Sequence, residues 1–179
     1  MKTLKLLPLL FVFIFTSCSS VKVATDFDRE ADFNSYQSFA FYKPSIDKAM
    51  ISDLDKKRIL RAIDAQLSAK GMSKTKTPDL LVTIFTKEKE RIDIYNNSFG
   101  YGWGWNPWYY GGFYAPQVSS TTEGTLFIDL IDAKTKELVW QGMGTSNLVT
   151  TNNIDKKEKK IRLIVSEILS KYPPGSDNK

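Results

Sequence analysis

Residues 123–149 constrain the fold more than any other stretch of the chain. Leu126, Ile128 and Leu130 alternate with Thr125, Phe127, Asp129 and Ile131. Such alternation sends successive side chains to opposite faces of a strand. Asp132-Ala133-Lys134-Thr135-Lys136-Glu137 has turn chemistry, with Asp132 placed to bond the backbone as the first turn residue. Leu138-Val139-Trp140-Gln141-Gly142 then returns. The pattern predicts a β-hairpin in which Trp140 packs in the core or on the sheet. Thr145 to Thr151 either extends the returning strand or adds another after Gly142 and Gly144.

A hairpin of this kind must cover an apolar face, and two helical stripes are available. Residues 52–70 read as a helix capped by Ser52, with Asp55 three positions on. Ile59, Leu60, Ile63 and Leu67 form its stripe, and Gly71 stops it. Ile161, Ile164, Val165, Ile168 and Leu169 form the second stripe. Asn153 or Asp155 caps that helix and Pro173-Pro174 ends it. Tyr36–Tyr42, bounded by Pro44, reads as a strand, with Val21–Phe27 as a companion. Leu80–Phe85 is apolar enough for a strand covered on both faces. Ile92 and Ile94, beyond a charged run, either resume it or begin another. The expectation is an α+β fold: a mainly antiparallel sheet with two helices packed on one face.

The N-terminus carries an address. Lys2 and Lys5 precede an apolar run, Leu6–Phe15, followed by Thr16, Ser17 and Cys18. This is the layout of a secretory signal. The run is too short for a membrane-spanning helix, which needs about 20 residues. Phe15-Thr16-Ser17-Cys18 resembles the bacterial lipobox, which implies lipidation at Cys18. The expected division is a signal peptide over 1–17, a lipidated tether over 18–25, one domain over 26–172 with an insertion at 96–117, and a disordered tail over 173–179. Ser19 is not Asp, so an outer-membrane anchor is expected. No acidic cluster follows Cys18, which favours the periplasmic side.

Composition excludes much chemistry. The chain has no histidine, and its single cysteine, Cys18, is the expected lipid acceptor. Histidine-based triads, thiolate nucleophiles, disulfides and most zinc or haem sites are therefore ruled out. The formal charge of +5 falls to about +3 once Lys2 and Lys5 leave with the signal. The basic residues are dispersed except over 156–162, a solvated helix face, so no nucleic-acid partner is expected. No phosphate loop, EF-hand or metal motif is present, so neither cofactor nor metal is expected. Carboxylates alone could catalyse: Asp79, Glu88, Glu90, Asp93, Glu123, Asp129 and Asp132. Glycoside hydrolysis needs two across a cleft at a set separation, and one sequence shows no such pair. A non-enzyme is expected, with a carboxylate-based glycan hydrolase as the weakest alternative.

Residues 99–114 stand apart from the rest. Nine of these sixteen residues are aromatic and five are glycine. Tyr101, Trp103, Trp105, Trp108, Tyr109, Tyr110 and Phe113 are the candidate contact residues. A long loop or hairpin tip between two strands is expected. Such rings can stack on sugars, lie at a membrane interface or anchor a protein partner. They can equally fold back over the sheet. The expected partners are the membrane, through Cys18, and an envelope protein or peptidoglycan.

Several phrases together carry a family resemblance. They are Asp26-Phe27-Asp28; Asp32 to Phe41; Leu67-Ser68-Ala69-Lys70-Gly71-Met72; Pro78-Asp79-Leu80-Leu81-Val82; and Gly124 to Gly142, above all Asp129-Leu130-Ile131-Asp132-Ala133-Lys134-Thr135 and Leu138-Val139-Trp140. The chain resembles domain-of-unknown-function family 4136, envelope lipoproteins of Gram-negative bacteria, over about residues 21–171. The family is similar in often carrying a Gly/Tyr/Trp-rich insertion where 99–114 falls. The resemblance implies the address and the α+β fold, and no activity or catalytic residue.

Overall fold

The computed structural model describes residues 21–95, 117–147 and 153–175. Along the chain come β1 (Lys22–Phe27), β2 (Ser38–Phe41), α1 (Lys43–Ile46), α2 (Asp53–Ala69), β3 (Ser73–Lys74), β4 (Leu80–Tyr95), β5 (Gln117–Asp132), β6 (Leu138–Asn147) and α3 (Ile154–Ser170). The strands form one six-stranded sheet in the order β1-β6-β5-β4-β2-β3. The β1–β6, β4–β5 and β5–β6 pairs are antiparallel; β2 pairs in parallel with both β3 and β4. A parallel neighbour needs a crossover, and α2 supplies it. The α+β expectation holds, with these parallel pairs added at one side.

The predicted hairpin is β5–β6, with Leu126, Ile128, Leu130 and Trp140 buried on its helix-facing side. Asp132 opens the turn: its Oδ1 accepts the Lys134 and Thr135 N–H groups at 2.6 and 3.0 Å. Strand β6 runs unbroken through Gly142 and Gly144 to Asn147. A Cβ on Gly142 would lie 2.5 Å from an Ile168 methyl, and one on Gly144 would lie 2.8 Å from Ile168. These glycines let α3 press against β6.

The core lies between the sheet and α2 and α3. Ile59, Ala62, Ile63 and Leu67 face in from α2; Val165, Ile168 and Leu169 face in from α3. They meet Phe39, Leu80, Val82 and Ile84 from β2 and β4. Each of these side chains other than Ala62 contributes about 1.5–3 kcal/mol by leaving water. Ser52 and Asn153 cap the two helices, accepting the N–H groups of Asp55 at 3.2 Å and Lys156 at 2.9 Å. Gly71, at φ +87°, ends α2, and the Met72 N–H then donates back to the Leu67 carbonyl at 3.1 Å. An aromatic cluster closes one end of the core. Tyr172 meets Phe33 and Trp140 edge-on, with centroids 6.0 and 5.5 Å apart.

β1, Lys22–Phe27, is the companion strand expected over Val21–Phe27, paired with β6 from Thr145 onward. Two features differ from the sequence reading. β4 is a single strand of 16 residues running through the charged stretch 87–91. The reason is its partner: β5 pairs it residue by residue from Leu80↔Asp132 to Tyr95↔Gln117. Pro44 does not merely bound β2; it lies in the first turn of α1, where a missing N–H costs nothing.

Candidate functional site

The residues singled out from the sequence lie outside the described residues: Cys18, Tyr101, Trp103, Trp105, Trp108, Tyr109, Tyr110 and Phe113. What the structure does place is the base of the aromatic insertion. β6 ends at Asn147 opposite Glu123, and β2 ends at Phe41 opposite Val82. Beyond Asn147, among the described residues, β4 and β5 continue as a paired ribbon through Glu90–Tyr95 and Gln117–Thr122. At 3.4 Å per residue the ribbon adds about 20 Å. Its last pair, Tyr95↔Gln117, brackets the insertion. β1 starts at this same pole, since Lys22 pairs with Thr145 and Thr145 with Thr125. The first turns of α2 and α3 lie here too, joined by an ion pair between Asp55 and Lys157 at 2.6 Å.

Two of the candidate carboxylates, Asp79 and Asp132, are engaged in structure. Asp79 Oδ2 accepts the Ser38 hydroxyl at 2.7 Å and the Gln37 and Ser38 N–H groups at 3.1 and 3.0 Å. The Ser38 hydrogen bond, then the backbone ones, holds Asp79 below the usual carboxylate range. Asp132 is held low as well, chiefly by the Thr135 N–H. The Tyr36 hydroxyl donates to Asp132 Oδ2 at 3.1 Å. Burial, then that bond, pushes Tyr36 up to about 12. Burial raises Asp55, but hydrogen bonds from Lys157, Ser52 and Arg58 outweigh it and leave it lowered.

Asp129 behaves differently. It sits on the sheet face opposite α2 and α3, between Thr83 and Gln141 in register. Gln141 Nε2 donates to it at 2.8 Å. Burial still raises its pKa, the single hydrogen bond only partly opposing this. Nearby on that face Phe85 and Phe127 stack with centroids 4.2 Å apart and planes 8° from parallel. Its register neighbours are Thr83 and Gln141. Among the described residues no group of three or more His, Cys, Asp or Glu could hold a metal ion.

A cavity of about 360 Å³ opens at the ribbon pole, between the helices and the sheet. Small residues on the helix-facing side of the sheet create it. Leu126 is followed toward the pole by Gly124, and across the strand pair stand Gly144 and Ser146. Ile51 and Ile59 form one wall; Ile161 and Ile164 form the other. The charged residues that line it are Lys87, Lys156, Lys157 and Lys160 with Asp55 and Glu88. Ser146 is 4% exposed, and its Oγ has no hydrogen-bond partner among the described residues. An unmet buried hydroxyl costs about 1–3 kcal/mol. Sequence reasoning missed this cavity. Its signal was present in the run Trp140, Gly142, Gly144, Ser146, where the inward positions of a strand shrink toward one end.

Comparison with known proteins adds a family. No curated protein matches the chain. The fold is similar to a PDZ domain protein from Parabacteroides distasonis, with 19% identity and a TM-score of 0.49, over 87% of this chain and 36% of that one. This chain thus spans only about a third of that protein. It is similar to PelC, a dodecamer from Paraburkholderia phytofirmans, with 12% identity and a TM-score of 0.48, over 84% of this chain and 96% of that one. A neuraminyllactose-binding hemagglutinin homolog from Helicobacter pylori shares 11% identity at a TM-score of 0.37, over 80% and 85%. Likenesses at this level carry no argument about activity or partner. The sequence match is firmer: residues 23–174 match the domain of unknown function DUF4136, and the chain belongs to that family.

Proposed function

We propose that the chain is a lipid-anchored, non-catalytic interaction module of the cell envelope, tethered through Cys18 to the outer membrane and facing the periplasm. Its contact surface is the aromatic segment within 96–117. One observation carries this reading: β4 and β5 stay paired to Tyr95↔Gln117, beyond every other described strand. A ribbon built past the core, and ending in the pair that flanks the aromatic segment, is the feature a projecting contact surface needs. The engagement of Asp55, Asp79 and Asp132 in hydrogen bonds supports a non-catalytic role.

A second reading has its own support. Cys18 lies four residues before Lys22, a reach of about 14 Å at most. The ribbon, starting from the same pole, is longer at about 20 Å. A Cys18 anchor would therefore set the described end of the ribbon, Tyr95↔Gln117, near the bilayer interface, where Trp and Tyr are favoured.

The test replaces 96–116 by Asn-Gly, a two-residue turn suited to a hairpin. Co-sedimentation with peptidoglycan sacculi and with liposomes is then compared for the parent and the variant. Loss of retention on sacculi supports the first reading, and loss on liposomes alone supports the second. Retention unchanged on both would overturn the role given to the segment.

A further inference from the structure

The outer edge of β1 supports an inference independent of the anchor and of the aromatic segment. We propose that β1 pairs antiparallel with β1 of a second copy of this chain, continuing the sheet across a twofold axis. β1 is the last strand on its side, and no described strand pairs with its outer edge. The Asp28 N–H donates to the Val139 carbonyl at 3.0 Å, in the register that joins β1 to β6 throughout. Backbone groups of an antiparallel strand alternate sides from residue to residue. Lys22, Ala24 and Asp26 therefore bond β6, and the N–H and C=O groups of Val23, Thr25 and Phe27 point outward. The Phe27 N–H agrees: Asp26 Oδ1 accepts it at 2.9 Å, and β6 does not. Among the described residues, no strand meets the outward groups of Val23 and Thr25.

This edge is complementary to itself. With Ala24 on the twofold axis, Val23 of each copy stands opposite the other's Thr25, and each such pair exchanges both of its N–H···O bonds. Lys22 then stands opposite the partner's Asp26, and Asp26 opposite the partner's Lys22. Both positions are of the non-hydrogen-bonded kind, where side chains across a pair come closest, and Lys22, Ala24 and Asp26 are all exposed. Asp26 keeps a second carboxylate oxygen for the lysine. Opposite charges directly across a strand pair stabilise it. Registers two residues away serve less well: one sets Lys22 opposite Ala24, and the other needs the Phe27 N–H that Asp26 already holds. Charges on an edge strand ordinarily discourage pairing with another chain. Here their opposite signs, four residues apart, repel most strands and match an antiparallel copy of this one. The contact is isologous and closes at two copies. Its axis turns the two ribbons to opposite poles, so this dimer excludes an arrangement with both ribbons on one bilayer.

The test is sedimentation equilibrium of the full chain carrying Cys18→Ala, a substitution that removes its single thiol. A monomer–dimer equilibrium is expected. Lys22→Asp, at an exposed position, is expected to weaken the dimer about tenfold, because both ion pairs become like-charge contacts. Lys22→Asp combined with Asp26→Lys is expected to restore it. Association through the apolar run Leu6–Phe15 would respond to neither change. Ala24→Cys checks the register. Facing Cα atoms at such a pair lie about 4.5 Å apart, within the span a disulfide accepts. Oxidised glutathione is expected to cross-link the Ala24→Cys protein and not Thr25→Cys, which faces the partner's Val23. The proposal is overturned if the chain stays monomeric at the highest concentration reached, if Lys22→Asp leaves the equilibrium unchanged, or if Thr25→Cys cross-links as readily as Ala24→Cys.

Discussion

Gly142→Ala is the sharpest test of how β6 meets α3. The added Cβ would lie 2.4 Å from Trp140 Cη2, 2.5 Å from Ile168 Cγ2 and 2.9 Å from Trp140 Cζ3. Neither neighbour can retreat, because Trp140 and Ile168 are both fully buried. Forcing an extra carbon into a packed core costs about 1–3 kcal/mol. Alanine recovers about 0.4–1 kcal/mol by restricting the unfolded chain. Taking the upper half of the overpacking range for two immobile neighbours leaves a net loss of about 2 kcal/mol. For a domain of this size that lowers Tm by about 4–8 °C. Urea unfolding followed by far-UV circular dichroism should show a lower midpoint with the slope preserved. Trp140→Phe removes the two ring carbons nearest the new methyl. The double variant should therefore be more stable than additivity predicts, by about 1 kcal/mol. Gly71→Ala is the contrast, since nothing lies within 4 Å and its cost is the φ of +87° alone. A Gly142→Ala protein as stable as its parent, or strict additivity with Trp140→Phe, would refute the packing argument.

Asp129→Asn should stabilise the fold at neutral pH, because it keeps an acceptor for Gln141 and removes a desolvated charge. The raised pKa gives the sign: Asp129's contribution is fully present below the unfolded value and lost as pH rises through the folded one, so parent and variant should converge in acid in paired melts. Asp79→Asn should do the opposite. Its lowered pKa means that stability is present above about 3.9 and lost as pH falls through the folded value; a gap between the two proteins that stays constant from pH 7 to pH 2 would contradict this. Ser52→Ala and Asn153→Ala should each cost about 1 kcal/mol in urea unfolding, by leaving a helix N–H unmet.

The strongly periodic elements are legible in the amino-acid order. α2, α3, the β5–β6 hairpin, the Ser52 cap and the buried Trp140 all follow from spacing, because one face of each is covered and the pattern records it. β3 is two residues long and carries no period to read. The outer part of β4 holds charges of both signs, so no alternation marks it as strand; its pairing with β5 does. α1 hid behind Pro44, which reads equally as a stop or as a helix start. The cavity was legible only in part, through the small inward residues Gly144 and Ser146 of β6. It arises where Gly124, Gly144 and Ser146 fall side by side on neighbouring strands, and register is a property of pairing rather than of either strand alone.

The position of β1 has a consequence for how the molecule is assembled in time. The β5–β6 hairpin closes across a short turn, whereas β1 must find β6 across most of the chain, Lys22 meeting Thr145. Closing a loop of that length costs about 4 kcal/mol of chain entropy before any contact repays it. The first strand to be synthesised is thus the last that can be placed. Until it docks, β6 stands as an open edge. A delay at Lys22–Phe27 leaves a slot that the leading strand of a second copy fits equally well, which makes strand exchange the characteristic misassembly of this fold.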